Sequence, residues 1–349
     1  MIIERDEPIL VTGGTGFIGR SVVAELKRQG FTSVRCLVRP ATDSDESRRS
    51  ASDTNGSSAI EWVEGNLLSR ADCERAAQGV TVIYHLAAGT GSKSFADAFA
   101  NSVVTTRNLV EASLQQGTLK RFVNISSFAV YTNEGEEPNH VLDEASPIDR
   151  QSELRGDPYC FAKVKQDELI MDYGDRCGLP YVLVRPGVVY GPGKARIHGR
   201  IGMDTFGVFL HLGGSNVIPF THVDNCAEAI VAAGLKEGVE REVFNVVDDD
   251  LPTSQEFLAA YKQKVERFNS IYVPPWLSYL FCLGWERYSA WSGGQLPPAF
   301  NRRQWAASWK RTTYPNRKIK EVLDWRPKVT TAEGLTQFFA SVREGQAHA

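Results

Sequence analysis

Through the first half of the chain, apolar residues fall into short unbroken runs. Between the runs lie stretches where apolar positions recur every three or four residues. The runs "PILVTGG", "SVRCLVR", "AIEWVEGNL", "VTVIYHLAA", "LKRFVNISS" and "LPYVLVRPGVVYG" read as six successive strands, and Gly19–Gln29 as the helix after the first. Continuous rather than alternating runs are what a sheet needs when helices cover both of its faces. The pattern therefore predicts an α/β fold with a doubly wound parallel sheet. After strand two, "SDESRRSASDTNGSSA" reads as a polar, Ser-rich, mobile surface loop. Beyond Gly191 the pattern breaks into Gly-rich loops through Ser215. It returns to the sheet with "VIPFTHVDNCAEAIVAAGL" and "REVFNVVDD", and from Leu251 becomes helical and aromatic. Six of the seven tryptophans lie in that last part, which marks it as a place where a large apolar surface is built. No internal repeat is visible.

Composition narrows the function classes. At 349 residues, 42% hydrophobic and 23% charged, the chain has the balance of a folded globular protein. A net charge of −3 gives no electrostatic reason to expect nucleic acid or an anionic membrane as partner. The six cysteines are scattered without a C-x-x-C, as expected of reduced, packed thiols in a cytoplasmic protein. The histidines form no metal-ligand spacing, so no metal is expected. The opening "MIIERDEPILVTGG" is charged and enters a strand at once, which does not read as a leader. No apolar run has a spanning length; "VPPWLSYLFCLGW" (Val273–Trp285) reads as a buried helix or a lid over the site, with an interfacial membrane contact as the alternative.

The first chemical signal is "TGGTGFIGR", directly after strand one. Gly13, Gly14, Gly16 and Gly19 satisfy G-x-x-G-x-x-G and G-x-G-x-x-G, and the motif sits between a strand and a helix. Backbone without side chains can approach a pyrophosphate there, and the helix start supplies unpaired N–H groups. This predicts a Rossmann-type dinucleotide site using Gly13, Gly16, Phe17, Ile18 and Gly19. Residues 1–190, with 217–250 returning, form the NAD(P)-binding domain; 191–216 and 251–345 form a substrate-binding domain. Strand two ends in "CLVRP", with Val38 where an acid could accept the ribose 2′-OH and Arg39 next to it. A guanidinium there suits a 2′-phosphate, so the preferred cofactor is NADP, with NAD the alternative. Asn66 and Leu67, after strand three, are placed at the adenine, with Asn66 bonding its amine. Leu86, Ala87 and Ala88 in "HLAAG" would pack along the cofactor, whereas His85 reads as a structural strand end.

In "DPYCFAKVKQDELI", Tyr159 and Lys163 stand four apart on a helix and can converge on one point. An ammonium beside a phenol lowers its pKa and makes it usable as an acid/base group; the plain alternative is a solvated lysine beside a half-buried tyrosine. With "TGGTGFIG", "GNLL", "HLAAG", "ANSVVTTRNLVEA", "FVNISSFAVY", "YCFAK", "VRPGVVYGPG", "PFTHVDNCAEAI" and "FNVVDD" in order, the chain resembles the extended short-chain dehydrogenase/reductase, or NAD-dependent epimerase/dehydratase, family. The resemblance implies that Tyr159 is the acid/base residue, that Lys163 lowers its pKa and bonds the nicotinamide ribose, and that Ser127 holds the same substrate oxygen. Ser126 is the alternative serine. It also implies that Pro186, Gly187 and Val188 line the nicotinamide, that Asn101 lies near the site or is a packing amide, and that the protein is a homodimer acting on a small molecule.

Two features set this chain apart. Sugar-nucleotide epimerases of the family usually carry Arg-Asp just before the "HVD" segment; here Ile218 and Pro219 stand there, leaving Arg196, His198 or Arg200 to hold a phosphate. The Val38–Arg39 ending looks more like the dihydroflavonol-reductase-like branch, and "VDNCAEAI" with the apolar segment after Val273 looks more like the 3β-hydroxysteroid-dehydrogenase-like branch. The insertion Thr132–Asp157 reads as a loop covering the substrate. The first expectation is thus an NADP-preferring oxidoreductase acting at a secondary alcohol or ketone. A sugar-nucleotide epimerase or dehydratase with tightly held NAD is the alternative, and a non-catalytic NAD(P)-binding sensor the third.

Overall fold

The strand that carries the glycine motif, β1 (Ile9–Thr12), is fully buried and lies inside a seven-stranded, wholly parallel sheet. On one side it pairs with β2 (Val34–Val38), which pairs with β3 (Glu61–Glu64). On the other side it pairs with β4 (Val82–His85), followed by β5 (Arg121–Ile125), β7 (Tyr181–Pro186) and β12 (Val243–Val246). The chain thus builds outward from β1 in one direction and then crosses back to the other side. The crevice beyond the carboxyl ends of β1 and β4 is the switch point where such sheets bind ligands. The computed structural model describes residues 1–40, 60–89, 91, 94–133, 140–194, 197–205, 207–293, 295 and 300–347. The Ser-rich stretch after strand two and Arg196 lie outside the described residues.

Helices cover both faces of the sheet, which is why its strands read as unbroken apolar runs. Phe17–Arg28 buries Gly19, Val22, Val23 and Leu26, one stripe at helical spacing, and begins two residues earlier than the apolar pattern suggests. Across the sheet, Leu109, Val110 and Ile170 pack on Leu10, Ile83, Phe122 and Leu183. The helix Pro158–Cys177 starts cleanly because Asp157 accepts the Tyr159 and Cys160 N–H groups and Pro158 stands in the first turn; Gly178 ends it at φ +68°. Its buried face carries Lys163, Gln166 and Asp167 beside Val164 and Ile170, so polar groups enter the interior here.

The single sixth strand expected from "LPYVLVRPGVVYG" is two strands. After Pro186 the chain leaves the main sheet, and β8 (Val188–Tyr190) pairs instead with β11 (Phe220–His222). The cause is close packing at Gly187, where a Cβ would lie 2.1 Å from the Pro219 carbonyl. A three-stranded sheet of β9 (Gly202–Thr205), β10 (Val208–His211) and β13 (Ser270–Tyr272) follows. In the insertion Thr132–Asp157, β6 (His140–Val141) pairs with β14 (Thr312–Thr313), which ties its described part to the C-terminal region.

The segment after Val273 corrects an expectation. It forms the helix Pro275–Trp291, which is neither a buried helix nor a lid: Ser278, Cys282 and Ser289 face inward, while Trp276, Leu280, Phe281 and Trp291 are exposed. None of its residues lines the cleft described below. Among the described residues no helix is long and apolar enough to cross a membrane. The six cysteines are free; five are buried as packed thiols, but Cys177 is exposed.

Candidate active site

The glycine loop is built for close backbone approach. Gly13 takes φ +73°, and a Cβ on it would lie 2.9 Å from the Ala87 nitrogen. A Cβ on Gly19 would sit 2.1 Å from the Gly13 carbonyl oxygen, so no larger residue fits without moving backbone. Gly16 precedes the helix Phe17–Arg28 without a side-chain cap, and the first turn has no acidic residue. Its opening N–H groups and the positive end of its dipole are left for an anion. Beside the loop, Leu86 N–H donates to the Thr12 carbonyl at 3.1 Å and Ala87 N–H to Thr12 Oγ1 at 3.3 Å. Leu86, Ala87 and Ala88 are half-buried along this edge. These residues fit a dinucleotide cofactor.

At the end of β2, Val38 is buried and Arg39 is exposed. Leu67 is half-buried, its carbonyl accepting from Asn108. Asn66 is exposed, and its Oδ1, the oxygen expected at an adenine amine, already accepts the Leu68 N–H at 3.0 Å. Asn101 lies in a π-helical turn, Ala100–Val104, and its amide donates to the Asp97 carbonyl and carboxylate. Asn101 is exposed, and both bonds stay within one helical turn.

Ser127, Tyr159, Gly187 and Val188 line one cleft of about 450 Å³. Its other wall comes from His198, Arg200, Met203, Phe300, Gln304 and Trp309, so the sheet edge and the aromatic C-terminal region close on the same space. Pro186 is buried at the end of β7, just behind. The adjacent serines have different partners: Ser126 is buried and donates to Asp167 Oδ2 at 2.9 Å, while Ser127 is half-buried and bonds the Tyr159 phenol. The Tyr159 phenol stands above its ordinary value because burial outweighs the Ser127 hydrogen bond. Lys163 is buried and donates to the Ile125 carbonyl at 2.6 Å and Gln166 Oε1 at 2.8 Å. Burial brings its ammonium down to about 8, against the pull of Asp167. In the protein without cofactor the burial of the ring dominates, and the Lys163 ammonium is turned to Ile125 and Gln166.

Arg155 escaped the sequence reading. Arg155 is buried in the cleft wall, donating to the Ala129 carbonyl at 2.8 Å, Cys160 Sγ at 3.0 Å and Gln304 Oε1 at 3.0 Å. Nothing in "SELRGD" marks it, because its partners are distant in sequence. It also places the insertion's last turn in the wall of the cleft. Arg200 donates to the Tyr314 hydroxyl at 3.2 Å, and the one carboxylate among the described lining residues, Asp157, caps the helix. Ile218, where a cation would stand in many sugar-nucleotide epimerases, is in the core, and Pro219 lines the cleft. Behind the cleft, Arg185 Nε and Nη2 donate to Asp167 Oδ2 at 3.1 and 2.9 Å, and Arg185 Nη1 donates to the Tyr131 hydroxyl.

A parallel doubly wound sheet with this glycine cradle defines a dinucleotide-binding α/β protein. The sequence pattern of the NAD dependent epimerase/dehydratase family matches residues 9–246, and the chain belongs to that family. It is 30% identical over 256 residues to the trifunctional UDP-glucose 4,6-dehydratase/UDP-4-keto-6-deoxy-D-glucose 3,5-epimerase/UDP-4-keto-L-rhamnose-reductase RHM1 of Arabidopsis thaliana, covering 68% of this chain and 36% of that protein. It is 28% identical over 240 residues to 3beta-hydroxysteroid-dehydrogenase/decarboxylase isoform 2 of the same plant, covering 66% of this chain and 41% of that protein. The chain thus spans less than half the length of either relative. Among solved structures, UDP-glucuronic acid 4-epimerase from Bacillus cereus, in complex with UDP-glucuronic acid and NAD, superposes with a TM-score of 0.73 at 20% identity, over 97% of this chain and 99% of that one. That likeness is one of fold.

Proposed function

We propose that the protein is a nicotinamide-dependent enzyme acting at a secondary alcohol carbon of an anionic, sugar-nucleotide-type substrate, as an epimerase that keeps its NAD through the cycle. The observation that carries the reading is the meeting of the Ser127 and Tyr159 hydroxyls at the floor of a cleft whose wall holds the Arg155 and Arg200 guanidiniums. Two cations against one capping carboxylate favour an anionic ligand. Arg200 takes the place of the cation that the Ile218 position does not supply.

Bound nicotinamide supplies the acceptor, and on return the donor, of the hydride. In the oxidising half, Tyr159 acts as its phenolate, the form that the Lys163 charge favours, and takes the hydroxyl proton as the carbon loses its hydride, so that the hydroxyl becomes a ketone. Ser127 donates a hydrogen bond to that oxygen as its charge changes. Lys163 keeps a positive charge beside the pair and would hold the nicotinamide ribose. On return, Tyr159 gives the proton back to the same oxygen while the carbon regains hydride on its opposite face. Water elimination would need a second acid/base pair beside the substrate. Among the described lining residues the one carboxylate, Asp157, is occupied in capping. The site therefore suits epimerisation or plain oxidation and reduction better than dehydration.

A second reading, an NADP-using dehydrogenase or reductase that exchanges cofactor at each turnover, is favoured by Arg39 at the end of β2 and by Ile218 and Pro219. Identifying the nucleotide that the purified protein retains, then following UDP-sugars by proton NMR, separates the two. Retained NAD and interconversion of epimers supports the first; no retained nucleotide, with NADPH-linked turnover of ketones, replaces it with the second. In either case Tyr159→Phe should lower turnover about 10²- to 10⁴-fold at unchanged melting temperature. Full activity in that variant would remove Tyr159 from the chemistry.

A further inference from the structure

Behind Lys163 a line of buried polar side chains runs from the helix Pro158–Cys177 to the loop after β1. Gln166 Oε1 accepts from Lys163, and Gln166 Nε2 donates to Thr106 Oγ1 at 2.7 Å. Thr106 Oγ1 lies 2.5 Å from the Ser102 carbonyl and 2.8 Å from His85 Nε2. A carbonyl can only accept, so the single hydroxyl proton of Thr106 goes to Ser102. His85 must then carry its proton on Nε2 and donate it to Thr106. Its Nδ1 is left to accept from Thr12 Oγ1 at 2.7 Å, and that oxygen in turn accepts the Ala87 N–H. Gln166, Thr106, His85 and Thr12 are wholly buried, so water offers no substitute partner. Every donor and acceptor along the line has one consistent role.

We propose that Gln166 is a positioning residue: its amide, locked in one orientation by Thr106, His85 and Thr12, holds the Lys163 ammonium and links it to the cofactor-side loop at Ala87. The proposal rests on the reading of Lys163 as the cation beside Tyr159. A flipped Gln166 would turn its NH₂ toward the ammonium and its oxygen toward Thr106 Oγ1, which has no proton left to give. The ammonium, which can only donate, and three residues that do not touch it therefore demand the same orientation of the amide. The other titratable and charged groups around Lys163 lie on three elements. Tyr159 and Asp167 stand on its own helix, and Arg185 on β7 is paired with Asp167. His85 on β4 is held neutral by burial and by the Lys163 charge, at about 3.

The test is a pH titration of the Lys163 Nζ resonance in the full chain with isotope-labelled lysine, assigned by its loss in Lys163→Arg. Gln166→Glu should raise the titration midpoint by about one unit, because a carboxylate replaces an amide oxygen beside the ammonium. Thr106→Val removes the acceptor that anchors the Gln166 NH₂, loosens the amide's hold on the ammonium and should lower the midpoint by roughly half a unit, while Thr106→Ser, which keeps the hydroxyl, restores it. In the Gln166→Glu background Thr106→Val should shift nothing, since a carboxylate has no NH₂ for Thr106 to anchor. An unchanged midpoint in Thr106→Val, or an equal shift in both backgrounds, overturns the proposal. Because the readout is a titration, it stands apart from turnover. If Tyr159→Phe stays active the functional reading falls, while the titration still decides the role of Gln166.

Discussion

The interior beneath the carboxyl edge of the sheet and the helix Pro275–Trp291 reverse the usual rule in opposite ways. Beneath the sheet, Arg185 and Asp167 are 2% and 0% exposed in the middle of the core. On the helix, Trp276 is 64% and Trp291 80% exposed, while Ser278 and Cys282 are buried. The difference lies in partners rather than hydrophobicity. Asp167 Oδ2 accepts from Ser126 and from two Arg185 nitrogens, and Arg185 reaches the Tyr131 hydroxyl and lies over its ring at 4.8 Å. Charges so matched can stay inside. The helix instead docks through small residues: Ser278 bonds the Trp305 indole N–H at 2.9 Å, which leaves the large side chains on the outer face.

If partners are what hold the charged interior, removing one should have the largest effect. Asp167→Ala leaves Arg185 buried without its counter-charge, and unfolding by denaturant should show a loss of about 3–5 kcal/mol. A loss below 1 kcal/mol would mean that Tyr131 and water suffice for Arg185. Next comes apolar packing in the same sheet. Leu183→Ala, at a wholly buried position of β7, should cost about 3 kcal/mol in the same measurement. The smallest effect belongs to the outward helix face, where Trp276→Ser should change stability by less than about 0.5 kcal/mol. A loss rivalling that of Leu183→Ala would show that this face is covered in the folded protein, and the contrast between the two regions would collapse.

Much of the fold was legible in the sequence because it depends on local rules. Unbroken apolar runs mark strands covered on both faces, and a glycine cluster between strand and helix has few other uses. The i, i+4 spacing of Tyr159 and Lys163 put both on one helix, and the family resemblance pointed to Ser127, which lines the same cleft as Tyr159. The misses share a cause. The break at Pro186 depends on Pro219 pressing on Gly187. Arg155 became a wall residue through Gln304, which lies 149 positions away. The helix after Val273 was misread because its apolar content says nothing about which face finds a surface to pack on.

By itself, then, the sequence determined the parallel α/β architecture, the glycine cradle and the helix that carries Tyr159 and Lys163. Each follows from backbone sterics or from a periodicity that a short stretch contains in full. Only the tertiary structure decided which serine meets the phenol, which cations wall the cleft and which way the Lys163 ammonium points. Those outcomes depend on buried hydrogen bonds between residues tens to hundreds of positions apart, and a buried donor or acceptor takes whatever partner the packing brings within about 3 Å.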